Sequence, residues 1–103
     1  MYFFDFPLEN IADFSFYLYL KIPIIHAKLA LKVGRPDIAR KFLEKALSEF
    51  RESGILDLVN EIIEKKRGTL LAEKLQEVLN ELEQVCKQVG VRVPVLRREK
   101  ILA

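Results

Sequence analysis

Four glycines, at positions 34, 54, 68 and 90, divide this chain into segments whose apolar residues recur at helical spacing. They stand apart from one another, so none belongs to a Gly-rich phosphate loop, and each falls where a helical pattern stops. Between the first two, Ile38, Ala39, Phe42, Leu43, Ala46, Leu47 and Phe50 follow the i, i+3, i+4, i+7 rhythm of one buried helix face. Pro36 suits a first helical turn, and Asp37 places a favourable charge at its N-terminus. The spacing predicts a helix from Pro36 to about Ser53. A third helix is predicted over Ile55–Arg67, with Ile55, Leu56, Leu58, Val59, Ile62 and Ile63 inward. Thr69 is the expected N-cap of a fourth, Leu70–Val89, buried through Leu71, Ala72, Leu75, Val78, Leu79, Leu82, Val85, Cys86 and Val89.

The segment before Gly34 is less orderly. From Phe14 to Ile25 nearly every helical face is apolar, and a helix of that kind must be covered on most sides. Helix entry is expected after Asp5 or at Asn10, where Asp13 three residues on makes a capping-box spacing. Pro23 removes one backbone donor and crowds the preceding turn. The expectation is therefore two helices, or one kinked helix, with the break near Lys21–Pro23. The fold class that follows is all-α: four to five helices in antiparallel hairpins with a short extended C-terminal tail. Residues 1–90 read as a single helical domain and 91–103 as a basic extended tail, because Arg92–Ala103 holds four basic residues against the single acid Glu99.

Composition excludes several chemistries. The single cysteine, Cys86, rules out an internal disulfide, and with only one histidine, His26, the chain lacks the ligand set of a structural zinc site. Cys86 lies in an apolar stripe and reads as a small buried hydrophobe. His26 and Cys86 fall on different helices, so a Cys–His nucleophile is not supported. No cofactor, metal or catalytic residue is expected, and the reading is of a non-enzyme. A net charge of +2 is too small to imply a nucleic-acid partner. Asp5, Glu9 and Asp13 interrupt the apolar start with no basic residue ahead of them, unlike a secretory signal. The longest apolar region falls short of the ~20 residues of a membrane span. A cytoplasmic location is expected.

Two regions carry candidate contacts. Eight of the ten aromatic residues lie within the first nineteen positions, more than one short helix can bury. Some are expected to cover the core and others to form an interface, where aromatics dominate. Phe3, Phe4, Phe6, Phe14 and Tyr17 are the candidate oligomer contacts. Lys65, Lys66 and Arg67, with Arg97 and Arg98 in the tail, are candidate phosphate contacts.

The stretch Ala27–Phe50 resembles one unit of a tetratricopeptide-type helical repeat. Ala27 and Ala30 supply small residues on the first helix, Gly34 the turn, and Ala39, Leu43 and Ala46 a small–large–small run on the second. Gly68 follows Gly34 by 34 residues, the repeat's period. The resemblance implies a protein- or peptide-binding module without catalysis that binds through the first helix of the pair. By that analogy Lys21, His26, Lys28 and Lys32 are candidate partner contacts, to an acidic peptide or a C-terminal carboxylate. The expected function is a small protein–protein interaction or adaptor module, homo-oligomeric through its aromatic start. The alternative is a nucleic-acid-associated accessory protein that uses Lys65–Arg67 and the tail.

Overall fold

The computed structural model describes residues 11–92, with side chains from Ser15 onward. Four helices follow one another: α1 (Ile11–Lys32), α2 (Pro36–Ser53), α3 (Ile55–Lys65) and α4 (Leu70–Val89). The described residues contain no strand, and the fold is an all-α bundle, as the periodicity predicts. The expected Asn10–Asp13 cap, the aromatics at positions 2–6, Phe14 as a contact, and the tail with Arg97 and Arg98 lie outside the described residues or side chains.

The helix ends are where the glycines place them. Gly34 takes φ +77°; its N–H donates to the Leu31 carbonyl at 3.0 Å, and the Arg35 N–H donates to Ala30 at 2.8 Å. This pair of bonds is a Schellman close, which satisfies carbonyls that the last turn leaves unpaired. Gly90 ends α4 the same way, with Val91 donating to the Cys86 carbonyl at 2.9 Å. Val91 is buried beside that turn. Thr69 caps α4 as expected, its hydroxyl accepting from the Ala72 N–H at 3.2 Å.

Of the two arrangements expected at Pro23, the single helix is found: α1 runs through Pro23, and no second helix starts there. Proline denies the Tyr19 carbonyl its donor, but Tyr19 is 40% exposed, so that rung lies where water reaches. α3 stops at Lys65, two residues short of Arg67, and Lys66 leaves helical geometry at φ −110° and ψ 32°.

The core lies between α1, α2 and α4, with α3 closing the α2–α4 side. Leu20, Ile24 and Ala27 of α1 meet Leu43 and Phe50 of α2, and Leu75, Leu79 and Leu82 of α4; all are sealed from water or nearly so. Alanines at 27, 30, 39 and 46 face inward, and their short side chains let α1 and α2 approach closely. The two run antiparallel, because Tyr19 contacts Phe50 while His26, further along α1, contacts the earlier residue Phe42. Phe42 and Leu58, both expected inside, are each 40% exposed. A test separates the two faces of α2. Leu43→Ala is expected to cost about 3 kcal/mol in urea unfolding, whereas Phe42→Ala costs less than about 1 kcal/mol when measured on the monomer.

Candidate functional site

α1 carries apolar residues around most of its circumference, so burial alone leaves its rotation poorly specified. One strip is different. Lys21 and Lys28, seven residues apart and on one face, both donate to the Glu81 carboxylate of α4. The Lys21 Nζ–Oε1 distance is 2.7 Å, and Lys28 holds the other oxygen. Glu81 is about three-quarters buried. Burial by itself pushes its carboxyl up, but the hydrogen bonds and charges of the two lysines outweigh that and hold it below the usual carboxylate range. With this strip turned toward α4, and Leu20, Ile24 and Ala27 turned into the core, a third strip of α1 is left outside.

That outer strip is apolar. Tyr19, Ile22, Leu29 and Val33 are 40%, 47%, 56% and 72% exposed, with His26 exposed among them and Ile25 alongside. The positions 19, 22, 26, 29 and 33 alternate three and four apart, the spacing of a helix seam awaiting another helix. α2 runs beside it with Arg35, just ahead of its first residue, then Ile38, Phe42, Lys45 and Glu49 at the same alternation. The two strips meet at His26 and Phe42, whose rings lie 5.0 Å apart at 43°. On either side of that pair are depressions of about 220 Å³, toward Tyr19 and Glu49, and about 330 Å³, toward Val33 and Arg35. The result is a shallow apolar groove with Glu49 at one end and Arg35 at the other. Arg35 also grips Asp37 through two bonds, at 3.2 and 3.0 Å, which lowers the Asp37 carboxyl.

The four partner contacts expected by resemblance therefore separate. Lys21 and Lys28 are bound to Glu81. His26 and Lys32 stay exposed, and His26 lies within the groove. Tyr17, an expected oligomer contact, is half-buried and packed against the core. Among the candidate phosphate contacts, Lys65 pairs with Glu61 at 3.6 Å and Arg67 with Glu64 at 2.6 Å, both within their own helix region. The exposed strip itself was missed by sequence reasoning. Its signal is the 3–4–3–4 spacing from Tyr19 to Val33, which marks a second apolar face on α1.

Cys86 is fully buried, and burial first, then the nearby Glu83 charge, pushes its thiol up to about 11. Among the described residues no cluster of histidine, cysteine or acidic side chains is arranged to hold a metal ion. No helix among them is long and apolar enough to cross a membrane. Comparison with family models, curated proteins and solved structures found no match to this chain.

Two outcomes follow from this chemistry. Glu81→Gln is expected to lower stability by about 1 kcal/mol near neutral pH, because the partly exposed Lys21 and the exposed Lys28 lose a charged acceptor. A depressed folded pKa gives stability that is present above the unfolded value and lost as pH falls through the folded one. The gap between wild type and variant, measured by urea unfolding, should therefore close on acidification through and below about pH 4. The Cys86 thiol should resist iodoacetamide in the native protein and react when denaturant unfolds it.

Proposed function

We propose that this protein is a small helical interaction module whose working surface is the groove between α1 and α2. The observation that carries the reading is the run of exposed apolar side chains at Tyr19, Ile22, Leu29, Val33 and Phe42. These residues share one face, where isolated exposed apolar residues would have no such alignment. Contiguous apolar surface of this kind carries a standing cost in water that docking of another apolar surface removes. The seam spacing suits a helical partner, in the manner of helix-in-groove recognition. The groove's lining is apolar apart from His26, Arg35, Lys45 and Glu49, and the reading involves no catalysis. The lysines proposed by analogy for an acidic peptide have a smaller role in it: only Lys32 remains unengaged by Glu81 and near the strip.

The test places a photo-crosslinking benzoylphenylalanine at Leu29 and, as a control, at Glu44 on the outer side of α2, in cells expressing the full chain. Light-dependent adducts, to another chain of any kind, are expected from position 29 at several times the control yield. Equal yields from the two positions would overturn the reading.

A further inference from the structure

The two ends of the groove complement each other. Its midpoint is the His26–Phe42 pair, and the residues seven positions to either side match, apolar with apolar on α1 and opposite charges on α2, while the inner α2 positions set Ile38 against Lys45. Tyr19 lies seven residues before His26, and Val33 seven after. Ile22 lies four before and Leu29 three after. On the neighbouring strip, Glu49 lies seven residues after Phe42 and Arg35 seven before. We infer that the occupant of the groove is a second copy of this chain, related by a two-fold axis through the His26–Phe42 pair. The inference rests on the interaction-module reading and names its partner.

The two-fold rotation runs α1 antiparallel to its copy and α2 antiparallel to its copy, which makes a four-helix layer at the interface. Tyr19 then lies against Val33 of the second copy and Ile22 against Leu29. His26 and Phe42 meet their own equivalents near the axis. Glu49 at one end of α2 meets Arg35 at the other, twice per dimer. Arg35 uses two of its five donors on Asp37, so others remain for an incoming carboxylate. The other two-fold, with its axis along the groove, stacks each α1 on the α2 of the second copy and sets Arg35 against Val33 and Glu49 against Tyr19, so neither charge gains an opposite partner. An isologous interface demands this kind of self-match from one surface patch. A partner of unrelated sequence would require no symmetry in the groove.

The experiment uses the full chain. Light scattering after size exclusion, from micromolar to submillimolar concentration, should report a dimer. Arg35→Glu and Glu49→Arg, each alone, place like charges at both ends, and each should raise the dimer Kd about tenfold or more. The double variant restores opposite charges and should return Kd to within about threefold of wild type. All three variants are surface changes, and far-UV circular dichroism checks that each is folded. Orientation is read in a Cys86→Ser background. A mixture of Tyr19→Cys and Val33→Cys chains should form a mixed disulfide under mild oxidation, and Val33→Cys alone should not. A monomer at every concentration overturns the inference, as does a double variant no tighter than the single ones. Self-cross-linking of Val33→Cys alone also overturns it, since antiparallel pairing puts the two Val33 positions at opposite ends of the groove. A monomer that still gives position-29 adducts to a different protein removes only the second-copy occupant and leaves the module reading intact.

Discussion

The convergence of Lys21 and Lys28 on Glu81 favours one rotation of α1, the same rotation that turns the small Ala27 and Ala30 inward, and the remaining architecture depends on it. Apolar burial alone is a broad preference, because α1 is apolar on most of its faces. A carboxylate held by two ammonium groups is far more selective, since turning α1 away would leave a largely buried charge without partners. Once the basic strip faces α4, the Leu20–Ile24–Ala27 strip enters the core and the Tyr19–Val33 strip faces water. The ion triad adds modestly to stability and agrees with the inward alanines on which apolar face stays outside.

The second constraint is the close approach of α1 and α2. Inward alanines at 27, 30, 39 and 46 bring the helices near enough for Tyr19 to meet Phe50 edge-on at 5.3 Å and His26 to meet Phe42. Close packing of the backbones keeps the groove shallow and its two strips in register. The small–large alternation of the hairpin therefore also sets the geometry of the surface above it.

Much of this fold is legible before any coordinates are seen. The bounds of α2 and α4 follow from Pro36, Thr69 and the glycines, because caps and turns are local chemistry. What remains hidden depends on distant neighbours. Phe42 fits the buried stripe of α2 by spacing, yet lies exposed because α1 covers only part of that stripe and nothing else among the described residues closes over it. Lys21 and Lys28 look like free cations until α4 brings Glu81 to them from 60 and 53 residues away. Pro23 marks a helix break by propensity, but packing on both sides carries α1 through it. The candidate surface was legible only as a spacing, and deciding that Tyr19, Ile22, Leu29 and Val33 face outward required the tertiary partners of the opposite faces.

Carbene footprinting of the dilute protein, resolved to single residues along α1, tests this account most directly. Ile22, Leu29 and Val33 should label strongly, with Leu20, Ile24 and Ala27 protected, and the Ile22 and Leu29 signals should fall as protein concentration rises. Labelling of Leu20 and Ile24 at the level of Ile22 and Leu29 would mean that α1 is rotated differently, and would contradict the outward apolar face on which the account rests.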